Sequence, residues 1–161
     1  MIPDKQALRE QLIEQLAERL SGFDKSAREA HAEATHEQNK AENKYDTRAI
    51  EASYLAEGQA RQAAEVAASI QMLEGMVLRD FGLAAPIAPG ALVELEANGG
   101  AAWYFLAPCA GGAELLTEDG PVLVVTPQSP LGGAMSGLMT GGTFKLQFGR
   151  ERVLHKVRSV Y

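Results

Sequence analysis

The side chains best suited to chemistry are the carboxylates of one polar stretch, His36-Glu37-Gln38-Asn39-Lys40-Ala41-Glu42-Asn43-Lys44-Tyr45-Asp46. Glu42 and Asp46, with Glu37 nearby, offer oxygens to a hard cation such as Mg²⁺, which takes only one or two carboxylates from a protein and keeps several waters. Residue types alone also allow a plainer reading, in which these are solvated charges offset by Lys40 and Lys44. His31 and His36 do not share a helix face and have no third soft ligand near them in sequence, so they read as surface histidines rather than zinc ligands. Cys109 is the only cysteine. That excludes an internal disulfide, a multi-cysteine zinc site and a redox pair. No Ser-His-acid or Cys-His arrangement is suggested, because His155 falls in an expected strand and Cys109 in a loop. Gly132-Gly133 lies inside a helix signal, Gly141-Gly142 follows it, and neither leads into Gly-Lys-Ser or Gly-Lys-Thr, so turn and helix-stop duty is expected rather than a phosphate cradle.

The acidic stretch must be held by the segment around it, Asp4 to Asp80, which contains no proline. Pro3 suits a first helical turn, and Asp4 and Glu10 complement a helix N-terminus. Leu8, Leu12, Leu16 and Leu20 recur at four-residue spacing with Ile13 and Phe23 beside them, which is an amphipathic helix. Gly22 predicts a local irregularity. Apolar residues then shrink to Ala27, Ala30 and Ala34, and grow back through Ile50, Tyr54, Leu55, Ala60, Ala63, Ala67, Ile70, Leu73, Met76 and Val77. The two series mirror each other about a point near Glu42: Leu8 with Met76, Leu12 with Leu73, Leu16 with Ile70, Phe23 with Ala60. A single rod has no reason for that symmetry. An antiparallel helical coiled-coil hairpin over 1–80 does, with large residues facing large ones at its base and small ones near an acidic tip. Each arm would be roughly 50 Å long at about 1.5 Å per residue.

After Asp80, residues 81–90 are punctuated by Pro86, Pro89 and Gly90 and read as a linker. Residues 91–161 alternate as a small β domain. Ala91 to Glu96 and Ala101 to Leu106 are strands about an Asn98-Gly99-Gly100 turn. Leu115-Leu116 is a short extended segment, and Pro121 to Thr126, the most apolar run, is the expected central strand. Ser129 as N-cap and Pro130 at the first position start a short helix bearing Leu131, Ala134, Met135 and Leu138, with Gly141 and Gly142 as its stop. Thr143 to Phe148 and Arg152 to Tyr161 close the sheet about Gly149. The fold class expected is therefore α+β, with a sheet of about five strands covered by one helix.

Composition narrows the function. The chain has 161 residues, 46% apolar and 22% charged, and a net charge of −6, which is ordinary globular composition. The negative charge argues against non-specific nucleic-acid binding and against direct sequence-specific DNA binding, since phosphates would be repelled. No run approaches the roughly 18 apolar residues of a membrane span, and the charged N-terminus is no signal peptide, so a cytoplasmic address is expected. Against this acidic background Lys145, Arg150, Arg152, Lys156 and Arg158 make the last hairpin basic. That suits either a charge-protected sheet edge or docking on an acidic protein surface.

A helical hairpin, a linker and a β domain carrying Thr126-Pro127-Gln128-Ser129-Pro130-Leu131-Gly132, then Gly137, a Gly-Gly turn and a final hairpin ending Val157-Arg158-Ser159-Val160-Tyr161, resembles the Gre transcript-cleavage factors of bacterial RNA polymerase. The resemblance spans nearly the whole chain. Its most specific part is the serine-proline-leucine-glycine segment, and Glu42-Asn43 with Tyr45 is similar to the family's tip motif. It implies an FKBP-like antiparallel β domain that docks at the rim of the polymerase secondary channel, through residues including Ser129, Pro130, Arg150 and Arg152. It also implies a tip, Asn39, Asn43 and Tyr45 included, that enters the channel near the RNA 3′ end. Glu42 matches the tip glutamate that assists the polymerase's Mg²⁺. The family's tip aspartate falls on Asn39, its preceding glycine on Gln38, and its Gly-Asp after the short helix is Gly141-Gly142. Asp46 or Glu37 is then the candidate second carboxylate. The chain would not be an enzyme alone and would carry no cofactor of its own. The implied function is stimulation or modulation of cleavage of backtracked RNA, or channel binding without cleavage. Two readings of other classes remain: a structural or adaptor coiled coil, and a peptidyl-prolyl isomerase, which would need a pocket built from Trp103, Tyr104, Phe105, Phe144 and Phe148.

Overall fold

A computed structural model of the chain describes residues 1–35 and 48–161. The element order is α1 (Lys5–Thr35), α2 (Arg48–Glu74), β1 (Leu92–Ala97), β2 (Gly100–Leu106), β3 (Glu114–Thr117), β4 (Gly120–Val125), α3 (Pro130–Met135), β5 (Thr143–Phe148) and β6 (Glu151–Val160), an α+β architecture. The chain divides into two compact units. One comprises Met1–Leu12 with Met72–Tyr161, the other Ile13–Gln71.

Helix α1 starts where Asp4 caps it: the Asp4 carboxylate accepts from the Gln6 N–H at 2.9 Å, a donor that no helical carbonyl reaches, and the Asp4 carbonyl accepts the first helical bond from the Leu8 N–H at 3.0 Å. Its Leu8, Leu12 and Leu16 are buried, and so is Ala30, which is the stripe expected from the sequence. The irregularity expected at Gly22 is absent: α1 is unbroken across it. Packing by its neighbours outweighs the roughly 1 kcal/mol that one glycine costs a helix. Helix α2 buries Ala56, Val66 and Leu73, while Ile50, Tyr54 and Leu55, assigned to its stripe from the sequence, are half or more exposed. The buried set follows alternating three- and four-residue steps through the small Ala63, and bulk alone misleads where small residues line a seam. The helices run antiparallel. Ala27, Arg28 and His31 of α1 share a shallow depression with Ser53, Ala56, Glu57 and Ala60 of α2, and Arg9 Nη1 donates to the Met76 carbonyl at 3.1 Å. These pairs reproduce the mirror near Glu42. Helix α2 ends at Glu74, before Gly75 and short of Asp80, with the Met76 N–H closing the last turn onto the Leu73 carbonyl.

The sheet has six strands in the order β3-β4-β2-β1-β6-β5, all neighbours antiparallel except β2 and β4. Strand β4 is interior but not central. It returns alongside β2 in parallel, and β2 and β1 take the middle. Alternation sends Val93, Leu95, Leu106, Val125 and Val157 to one face, where they pack with Phe81, Ile87 and Met135. The alternate positions Leu92, Phe105, Leu115, Val122 and Val124 are equally buried, so the sheet is covered on both faces, which explains its continuous apolar runs. Phe81 and Ile87 place the segment 81–90, expected as a linker, in this core, and Gly90 (φ +93°) brings its Cα against the Val77 carbonyl where a Cβ would come within 2.7 Å. Helix α3 is stopped by Ser136 and Gly137 (φ +80°), whose N–H donates to the Ile87 carbonyl, and not by Gly141-Gly142.

Candidate functional site

The tip residues Asn39, Glu42, Asn43, Tyr45 and Asp46, with Glu37, lie outside the described residues. What is described is the pair of helices whose ends they join, Thr35 of α1 and Arg48 of α2. Among the described residues no group of three or more His, Cys, Asp or Glu side chains is placed to hold a metal ion.

The sheet unit carries the other predicted residues. Ser129 is the N-cap of α3: its Oγ accepts from the Gly132 N–H at 3.1 Å and donates to the Thr126 carbonyl at 2.8 Å. Pro130 occupies the first helical turn, where its missing N–H costs nothing. The approach is close enough that a Cβ on Gly132 would sit 2.0 Å from the Thr126 carbonyl oxygen. Gly132 is therefore a packing glycine rather than a turn glycine. Ser129 and Pro130 form one wall of a groove of about 760 Å³, whose other walls include Tyr104, Leu123, Leu131, Leu146 and Phe148. Of the five aromatics considered for an isomerase pocket, only Tyr104 and Phe148 line this groove. Trp103 lies against Tyr161 at 5.9 Å between centroids, Phe144 stacks on His155 at 5.0 Å, and Phe105 is fully buried. Alternation along β2 accounts for part of the split: Trp103 and Phe105 face the opposite way from Tyr104.

The basic hairpin is resolved into two kinds of cation. Arg158 pairs with Glu94 at 3.5 Å and Glu96 at 3.6 Å. Arg152 and Lys156 are exposed, as are Lys145 of β5 and Arg150 of the turn. Arg152 donates to the Gln147 side chain at 3.3 Å. His155, buried beneath Phe144 and Phe148, has its Nδ1 at 3.1 Å from the Val153 carbonyl.

One contact had no signal in the sequence. The Gln11 side chain of α1 meets the backbone of β3 twice, Nε2 donating to the Leu116 carbonyl at 3.2 Å and Oε1 accepting from the Leu116 N–H at 2.7 Å. It occupies both hydrogen-bonding groups that an added strand would use at that residue. Only the partner's place in the fold singles Gln11 out from the other glutamines of α1. Nearby, the Lys5 ammonium donates to the Arg79 carbonyl and lies 5.3 Å from the Phe81 ring centre, with the Arg79 guanidinium 4.6 Å from it. Burial pushes the Lys5 pKa down, and the Asp80 carboxylate partly opposes it.

No family model matches the chain, and no curated protein matches it significantly in sequence. Solved structures to which it is similar include ones described as a GreA factor homologue and as a transcription factor. Among them are Gfh1 of Thermus aquaticus, 19% identical over 97% of this chain and 95% of that one with a TM-score of 0.41, and Gfh1 of Thermus thermophilus, 19% identical over 92% and 94% with a TM-score of 0.37. A further Gfh1 structure is 22% identical over 94% of each chain, with a TM-score of 0.41.

Proposed function

We propose that this chain is a Gre-type factor of bacterial RNA polymerase, whose sheet unit docks on the enzyme and whose helix pair presents residues 36–47 within the secondary channel. The observation that supports this best is the antiparallel pairing of α1 and α2: residues far apart in sequence share one depression, in the mirror relation expected of a hairpin with its acidic stretch at the turn. Glu42 and Asp46 are then the carboxylates offered to the polymerase's Mg²⁺, the donor type that ion prefers. An ion held there supplies charge stabilisation and polarises water in the manner of a two-metal site. The protein's own part is to carry the two carboxylates to the RNA 3′ end. Catalysis belongs to the polymerase, and the chain contributes no cofactor.

A second reading, binding without cleavage, is favoured by Asn39, which sets a neutral amide where the family carries a carboxylate. The experiment is addition of the protein to a stalled, backtracked elongation complex, with polymerase capture measured in parallel. Shortened transcripts that disappear with Glu42→Ala or Asp46→Ala support cleavage stimulation. Capture without shortening, converted to shortening by Asn39→Asp, supports the second reading. Absence of capture removes both.

A further inference from the structure

The two edges of the sheet are treated differently. Strand β3 is four residues long and the Gln11 amide occupies both backbone groups of Leu116. Strand β5, at the other edge, is six residues without proline or bulge, and among the described residues no backbone hydrogen bond joins it to any element other than β6. The Val157 N–H bonds the Gly142 carbonyl at the start of this ladder. Alternation from that pair turns the backbone groups of Thr143, Lys145 and Gln147 away from β6, to the open side.

The surroundings of this edge are chemically two-sided. Thr143, Lys145 and Gln147 lie opposite Lys156, Leu154 and Arg152, so three cations share one face, with Arg150 in the turn beside it. None of the four is ion-paired with a carboxylate among the described residues. The single carboxylate of the ladder, Glu151, falls at its end on the opposite face, with Phe144, Leu146 and Phe148. Leu146 and Phe148 border the groove, and Phe148 is 55% exposed.

We infer that the open edge of β5 accepts an extended segment of a partner protein as a seventh strand, and that this segment alternates acidic and apolar residues. Its backbone would pair with Thr143, Lys145 and Gln147, its carboxylates would fall on the face of Lys145 and Arg152, and its apolar residues would fall beside Leu146 and Phe148 over the groove. Strand addition draws affinity from main-chain bonds and selectivity from alternate side chains. An unprotected edge in an otherwise acidic protein, flanked by unpaired cations, selects an acidic strand by charge. A nucleic-acid backbone fits less well, because it offers nothing to the unpaired amides or to Leu146 and Phe148, and the chain's net charge is −6. The inference does not depend on the polymerase reading.

The probe is a fluorescent heptapeptide alternating glutamate and valine, measured by anisotropy against the full chain. The expected result is saturable binding that weakens at least roughly tenfold when the valines or the glutamates are N-methylated on the pairing edge, and by a similar factor with Lys145→Glu. The amide signals of Thr143, Lys145 and Gln147 should shift in heteronuclear spectra. A lysine-valine peptide should bind only to Lys145→Glu. Four results would overturn the inference: no binding, binding indifferent to N-methylation, tighter binding of a single-stranded oligonucleotide, or β5 already occupied by a second copy, seen as a stable dimer by light scattering. N-methylation alters the peptide alone, so misfolding of a variant does not compromise the test.

Discussion

Gly132 and Lys5 show how much single positions carry. An alanine at 132 would drive its Cβ into a backbone carbonyl, not into a side chain that swings aside, so the first turn of α3 has to move. Gly132→Ala is expected to cost about 2–4 kcal/mol by thermal or denaturant unfolding, whereas Gly133→Ala, whose Cβ would meet the Pro127 carbonyl at 3.0 Å, should cost less. Lys5 makes a prediction in pH. Its folded pKa lies below the ordinary 10.5, so between the two values the unfolded chain binds more protons than the folded one. Stability contributed by Lys5 therefore rises with pH across that interval and is flat below it. The effect is small because the side chain is only partly buried and Asp80 opposes the shift, and Lys5→Met should remove that part of the slope in a series of unfolding curves. Burial in the folded state explains why residue type alone did not reveal either position: sequence shows a glycine inside a helix signal, but not the carbonyl it must pass.

At the scale of elements, periodicity was most legible where side chains are large. The leucines of α1, the alternation of β1, β2, β5 and β6, and the Ser129-Pro130 start of α3 all show in the sequence as the structure has them. The α2 seam is hardest to place in its N-terminal half, where the small Ala56 is buried while the bulky Tyr54 and Leu55 beside it are exposed. Strand β4 is second from the edge and not central, because an apolar run reports burial on both faces while position within a sheet is settled by pairing that composition does not encode. The helices also retain a reserve of stability. Gly22 and Gly58 lie inside α1 and α2 with nothing within 4 Å of where a Cβ would stand. Gly22→Ala and Gly58→Ala should each raise stability by about 0.5–1 kcal/mol. Since neither added Cβ would have an atom within 4 Å, the two share no contact and should add, which a double variant measured by thermal unfolding checks.

At the scale of the whole chain, the sequence division at 80 and 90 and the compact units differ in kind. Leu8, Leu12, Leu73 and Met76 belong with the sheet, as do Phe81 and Ile87. Hydrophobic runs show that these residues are buried but not against what. The candidate site is legible in the reverse sense: residues 36–47 stand out in sequence as the polar interruption between two mirrored stripes, and the described helices lead into and out of them. No helix among the described residues is long and apolar enough to cross a membrane.

The Gln11 amide has a last consequence, for solubility. A sheet open on both sides is a monomer unit for a growing fibre, because each added copy presents a fresh place for the next. With Leu116 already satisfied, growth has only one end, and two copies meeting there about a two-fold axis exhaust it. Concentrated wild-type protein should therefore form nothing beyond a weak, transient pair, while Gln11→Ala, at a cost of about 1 kcal/mol in stability, should let sedimentation detect chains of copies longer than two.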